Sequence, residues 1–269
     1  MTRVKCHAAD IPTTGHYWVG SETSLFSISA QQIPFWPVVA TIGLALLVIL
    51  PSGYVYVLLA GPMSMESRPW LAMFVNHAVM LLIALLLIGW FGKGRFSEYG
   101  LQWPKRQHYV PSALAWGAFF GVLMTAVDYF PQILKHLPPP ENLSLSPASI
   151  GAGIFFEGIF VGPTEEIPFR GLLQTFLMQR SSGRVRLFKH DMHIAGVILA
   201  LLFALAHLAS FWTEDFRIAL GQQIYAFALG ILYAYWREKS GSVLAPMIGH
   251  NVGDGVEYVL MLLMTGLWR

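Results

Sequence analysis

Charge is the scarcest commodity in this sequence. Only 12% of its 269 residues are Asp, Glu, Lys or Arg, against roughly 25% in a typical soluble domain. No charged residue occurs between Glu22 and Glu66, and none between Arg68 and Lys93. Apolar stretches of that length read as membrane spans, because the helices of a soluble core need polar faces toward water. Cysteine is nearly absent too, and the single Cys6 excludes an internal disulfide and any cysteine-built zinc site. A net charge of +2 with no basic stripe does not point to nucleic acid. The first 33 residues are polar to mixed, with no apolar run ahead of a small-residue cleavage site, so a cleaved signal peptide is not expected.

What is present fits a bilayer. Hydrophobic residues make up 55% of the chain and aromatic ones 14%, the latter suited to membrane interfaces. The expected fold is an all-α, polytopic transmembrane bundle of about seven to eight spans, placed near 34–60, 70–92, 110–130, 149–179, 193–212, 218–236 and 243–268. Pro51 and Gly53 predict a kink or break in the first span. Pro138, Pro139 and Pro140, followed by Glu141 and Asn142, predict an extended loop. Seven spans put twelve Lys and Arg residues on one side, from Arg3 to Lys239, and four on the other, Arg68, Lys135, Arg217 and Arg269. Cytoplasmic loops keep their cations, which predicts a cytoplasmic N-terminus. The chain divides into a cytoplasmic segment 1–33, N-terminal transmembrane helices 34–148 and a functional core 149–269.

Ionisable groups at mid-span cost roughly 2.5 to 3.5 kcal/mol each on insertion scales, so they mark functional interiors. The fourth span carries Glu157, Glu165, Glu166 and Arg170, the fifth His207, and the seventh His250, Asn251, Asp254 and Glu257. Glu166 and Arg170 are four apart and share a helix face, so they can neutralise each other. Glu165 is turned about 100° away and is left to meet groups across the bundle. His250 and Asp254, also four apart, pair a histidine with an orienting carboxylate. Pro168 removes a backbone donor beside the two glutamates. Asp128 lies nearer an interface, and His77 in the second span reads as a packing residue that hydrogen-bonds a neighbour.

Three motifs carry a resemblance. Glu165-Glu166-x-x-x-Arg170, Phe203-x-x-x-His207 and His250-x-x-x-Asp254 stand in order on three late spans. This pattern resembles that of the CPBP intramembrane proteases, the CAAX prenyl endopeptidase and bacteriocin-processing group also called the ABI family. Residues 149–260 carry the match, and Phe96-Ser97-Glu98-Tyr99-Gly100-Leu101 is similar to the amphipathic stretch that often precedes the domain. The resemblance implies hydrolysis of a peptide bond within the membrane. Glu165 and His207 would activate water, His250 and Asp254 would form the oxyanion end, and Glu166, Arg170, Phe203 and Asn251 would support them.

By residue type Glu165, His207 and His250 would also serve as zinc ligands. No His-Glu-x-x-His run is present, and the resemblance implies a metal-free glutamate mechanism, so no cofactor is expected, with zinc the alternative. The expected partners are the bilayer and a lipid-modified or membrane-embedded peptide, and the expected location is a bacterial inner membrane. Two other readings stay open at this level: a proton-coupled transporter, since buried Glu, His and Asp chains also relay protons, and a non-catalytic immunity or scaffold protein.

Overall fold

The structure, a computed structural model, describes residues 18–19, 26–29, 35–60, 69–105, 107–140, 143–187 and 189–268. Of the expected segment 1–33, all but residues 18–19 and 26–29 lies outside the described residues, as do Glu141 and Asn142 of the expected loop. Helices dominate. The first two are α1 (Phe35–Ala60) and α2 (Pro69–Phe91), built from runs with no charge to interrupt them. A 3₁₀ turn at Phe96–Tyr99 then leads to α3 (Val110–Asp128) and the short α4 (Phe130–Lys135).

The expected span 149–179 is not one regular helix. It runs as α5 (Pro147–Phe155), a π-helical segment Phe156–Phe160, α6 (Val161–Glu166), a second π-helical segment Ile167–Leu173, and α7 (Gln174–Met178). Pro163 and Pro168 each lack the N–H that a regular α-helix spends on its i→i−4 ladder, and a wider turn accommodates the loss. Both carboxylates of the Glu165-Glu166 pair therefore sit on α6 between two widened turns.

Next come α8 (Ile194–Ala206), α9 (Ser210–Thr213), α10 (Phe216–Ser240) and α11 (Leu244–Leu267). The expected span 193–212 is thus interrupted at residues 207–209, directly at His207. The expected break in the first span does not occur, since α1 is continuous through Pro51. Among the described residues, five segments are long and apolar enough to cross a membrane: Phe35–Leu58, Trp70–Phe91, Val110–Asp128, Ile194–Thr213 and Phe216–Ser240. The protein is an integral, multi-pass membrane protein with a helical-bundle fold. The two remaining expected crossings are the segment cut by π turns and α11, whose apolar run is diluted by His250, Asn251, Asp254 and Glu257.

One element was not anticipated. Strands β1 (Trp18–Val19), β2 (Phe26–Ser29), β3 (Arg184–Leu187) and β4 (His190–His193) form an antiparallel sheet in that order. Ile28 lies opposite Val185, and Arg184 opposite His193, so the chain before α1 is tied to the loop between α7 and α8. The hairpin is anchored on α10, where Glu238 accepts from Arg184 Nη2 at 2.8 Å and from the His193 backbone N–H at 2.6 Å.

Packing of α3 on α11 sets the geometry of the site. In lipid, association rests on close van der Waals contact rather than on the hydrophobic effect, and small residues four apart allow it. A Cβ at Gly117 would lie 2.6 Å from the Gly249 carbonyl oxygen, and one at Gly121 2.5 Å from that of Gly253. These two Gly-x-x-x-Gly rows bring the backbones together and hold His250 at the bundle centre. On the far side of the site, Val48, Ala84, Ile88, Leu172, Leu173 and Leu199 form a core between α1, α2, the second π segment and α8.

Candidate active site

Successive residues on α6 point about 100° apart, so Glu165 and Glu166 meet different neighbours. Glu166 is fully buried, and its Oε1 accepts from Arg170 Nη1 at 3.2 Å and lies 2.8 Å from His250 Nδ1. Arg170 is equally buried, with its guanidinium 4.3 Å from the centre of the Phe203 ring. Glu165 reaches outward in two directions. Its Oε2 is 3.8 Å from His250 Nε2, and its Oε1 is 4.0 Å from His77 Nδ1 on α2. His250 Nε2 is also 3.2 Å from Asp254 Oδ2, one turn along α11.

His250 therefore links three carboxylates, with Glu166 on one ring nitrogen and Asp254 and Glu165 on the other. Its ring stacks on Tyr233 at 5.8 Å and meets the edge of Phe203 at 6.0 Å. These contacts leave the imidazole little freedom to turn. The in-helix pairs expected from spacing, Glu166 with Arg170 and His250 with Asp254, are both present; the bond from His250 to Glu166 crosses between helices, where spacing along one chain says nothing.

His207 sits where α8 ends. Its Nδ1 is 2.9 Å from the Phe203 carbonyl oxygen, one turn back. A proton on Nδ1 donated to that carbonyl leaves Nε2 as the basic nitrogen of the neutral ring. The carbonyl of His207 accepts from the Ser210 N–H and hydroxyl and also from Gln223 Nε2 on α10 at 3.1 Å, which holds the chain break in place. Phe203 packs edge-on against His207 at 5.1 Å, so one aromatic ring braces Arg170, His207 and His250 together.

Asn251 has a different place. Its Oδ1 accepts from the Gly162 N–H at 2.7 Å and its Nδ2 donates to the Ile159 carbonyl at 3.1 Å. It fastens α11 to the backbone at the first π segment and lies behind the reactive groups.

Glu165, His207, His250 and Asp254 line one cavity of about 340 Å³, with Phe203 in its wall. Four further carboxylates line it, Asp128, Glu157, Glu214 and Glu257, and no Lys or Arg does so among the described residues. Asp128, the last residue of α3, is buried and accepts from the Tyr225 hydroxyl at 3.0 Å. His77, read as a packing residue that hydrogen-bonds a neighbour, does so with Thr164 Oγ1 at 3.0 Å, and its place beside Glu165 is what sequence reasoning did not give. The available signal was a histidine inside a span with no charged residue. Among the described residues, no group of three or more His, Cys, Asp or Glu side chains is arranged to hold a metal ion.

The comparisons agree with the motifs. Residues 147–256, the stretch from α5 into α11 that holds every one of these motif residues, match the family described as type II CAAX prenyl endopeptidase Rce1-like. No curated protein and no solved structure matches the chain. The match bears out the resemblance to the CPBP and CAAX protease family and supports a CAAX-type intramembrane endopeptidase, a membrane hydrolase, in general.

Proposed function

We propose that the protein hydrolyses a peptide bond in a lipid-modified or membrane-embedded peptide, using a water activated by Glu165 and His207. The observation that carries this reading is the convergence of Glu165, His207, His250 and Asp254, from three separate helices, on one cavity. In a chain with so few charges, that concentration of acid and base is what an acyl-transfer site in lipid needs.

The chemistry follows from the groups' positions. Water lies between Glu165 and the basic nitrogen of His207, and Glu165 takes one of its protons as the oxygen attacks the scissile carbonyl carbon. A positioned base of this kind contributes roughly 10²- to 10⁴-fold. As the carbonyl electrons move onto oxygen, the His250 Nε2–H that Asp254 faces at 3.2 Å is shared with the developing oxyanion, a contact of a type worth roughly 10²- to 10³-fold. The C–N bond then breaks, and the proton held by Glu165 passes to the leaving nitrogen. An ionised carboxylate facing the oxyanion would repel it, so Asp254 acts by orienting His250. Glu166 and Arg170 hold the other side of that ring, and Asn251 fixes the backbone on which Glu165 rides.

The substrate is a membrane-anchored peptide, reached from within the bilayer. The proposed location is a bacterial inner membrane with a cytoplasmic N-terminus; pairing of β2 with β3 supports placing the N-terminal segment and the 184–193 hairpin on one side. The test is cleavage of membrane peptides by purified protein and by Glu165→Gln, each with and without chelator. Abolished cleavage in Glu165→Gln, with the wild type indifferent to chelator, is the expected result. Cleavage that survives Glu165→Gln removes the base, and chelator sensitivity revives a metal-dependent mechanism.

A further inference from the structure

A hydrolase in a bilayer must obtain water, and substrate filling the main cavity displaces the water held there. Behind Glu165 lies a second, smaller cavity of about 150 Å³ between α1 and α2. Its lining is mixed: Ser52, Asn76 and His77 join Glu165 and His207 in it, and apolar side chains such as Ile49, Met80 and Phe169 close the rest. Glu165, Phe203 and His207 thus belong to both cavities and form the wall between them.

Two details point to water as the occupant. Asn76 Oδ1 is buried and has no hydrogen-bond partner among the described residues. Buried polar atoms are satisfied by protein or by ordered water, and a partly polar space of this size accommodates several molecules, each filling about 30 Å³ in the liquid. The second detail is the division of the Glu165 carboxylate, Oε2 toward His250 in front and Oε1 toward His77 behind.

His77 is itself fixed. Its Nδ1 is 3.0 Å from Thr164 Oγ1, whose own hydroxyl proton is spent on the carbonyls of Val161 at 2.8 Å or Phe160 at 3.0 Å. Thr164 therefore accepts, His77 donates from Nδ1, and the ring is held beside the residue that precedes Glu165 in the chain. Gly53 is seven residues from Ala60, and Asn76 seven from Pro69. At 1.5 Å per residue the cavity is about 10 Å from the helix ends joined by residues 61–68, far shallower than a full crossing.

We infer that the cavity between α1 and α2 is a water chamber that supplies the hydrolytic water to Glu165, and that His77 is a positioning residue that fixes, through Thr164, the helix turn carrying that carboxylate. The inference rests on the hydrolase reading above and adds the route and the residues that serve it.

Gly53→Leu tests it, because a Cβ at Gly53 meets nothing within 4 Å and the added side chain fills the chamber without displacing backbone. The expected result is a kcat lowered at least about tenfold with KM unchanged, since substrate enters by the other cavity. Gly43→Leu, on the lipid-facing side of the same helix and equally free of close neighbours, retains wild-type kinetics. His77→Gln lowers kcat at unchanged KM and unchanged unfolding midpoint. A readout independent of activity is radiolytic hydroxyl labelling of Met80, a buried residue in the chamber wall: it is labelled in the wild type and protected in Gly53→Leu. Wild-type kcat in Gly53→Leu, or a Met80 unlabelled in the wild type, overturns the inference. If Glu165→Gln cleaves normally, the hydrolase reading fails, and Met80 labelling still decides whether the chamber holds water.

Discussion

Replacing Arg170 with methionine, close to it in length, would leave a carboxylate buried without its main counter-charge. Glu166 and Arg170 are both fully buried, and their link is a single N–H to Oε1 at 3.2 Å. The second oxygen of Glu166 and two guanidinium nitrogens have no hydrogen-bond partner among the described residues, so the pair is costly to bury even when intact. Removing one partner of a buried ion pair typically costs 3–5 kcal/mol, and the loss of the guanidinium over Phe203 adds about 1 kcal/mol. Against this, His250 stays on Glu166 Oε1 at 2.8 Å and offsets part of the penalty. About 3 kcal/mol is the expected net loss for Arg170→Met.

The same reasoning makes the double variant milder than the single. Glu166→Gln with Arg170→Met has no buried charge left to compensate, and the glutamine oxygen still accepts from His250. Its expected cost is about 1 to 2 kcal/mol, the scale of one weakened hydrogen bond to a charged group. The assay is reversible unfolding in mixed micelles, closed as a double-mutant cycle. A single variant within about 1 kcal/mol of wild type, or a double variant less stable than the single, would refute the account of Glu166 as a charge that depends on Arg170.

Three further outcomes are expected. Asp254→Asn keeps an acceptor for His250 Nε2, now 3.2 Å from Asp254 Oδ2, and retains cleavage within about threefold, whereas complete loss would show that the charge itself is needed. Gly121→Ala places a Cβ 2.5 Å from the Gly253 carbonyl oxygen, forces α3 from α11 and lowers stability by about 1 to 3 kcal/mol; unchanged unfolding would contradict the close approach. His193, outside the spans, has its pKa lowered by burial, with its bond to the Ser181 carbonyl opposing. The unfolded chain then binds the proton more readily, so this contribution to stability is present above the ordinary value of 6.5 and is lost as pH falls below it toward the folded-state value. His193→Asn keeps a capping oxygen for the Ala195 N–H that His193 Nδ1 now accepts at 3.1 Å, and is expected to flatten that part of the stability profile.

Membrane class was legible because it depends only on what a bilayer rejects, and two stretches without charge state it directly. Glu166 with Arg170 and His250 with Asp254 were legible for a similar reason, since helix pitch alone puts residues four apart on one face. Pro168 signalled disturbance around the glutamates, but a kink, a break and a π turn all answer a missing N–H, so the form taken was not legible. The sheet could not be foreseen either, because residues 26–29 and 184–193 are brought together only by folding. His77 was legible as a packing residue with a hydrogen-bonded neighbour, but which neighbours it meets was not, because Thr164 and Glu165 belong to another helix.

The amino-acid order by itself determined the bundle, the depth of its ionisable groups and the pairings inside single helices, because hydrophobicity and the 3.6-residue turn are local properties. Tertiary structure alone decided that His250 would touch both glutamates, that four more carboxylates would share their cavity, and that α1 and α2 would enclose a space behind Glu165. Which helix faces which depends on where backbones can approach, here at Gly117, Gly121, Gly249 and Gly253, and that is settled between distant segments rather than along one.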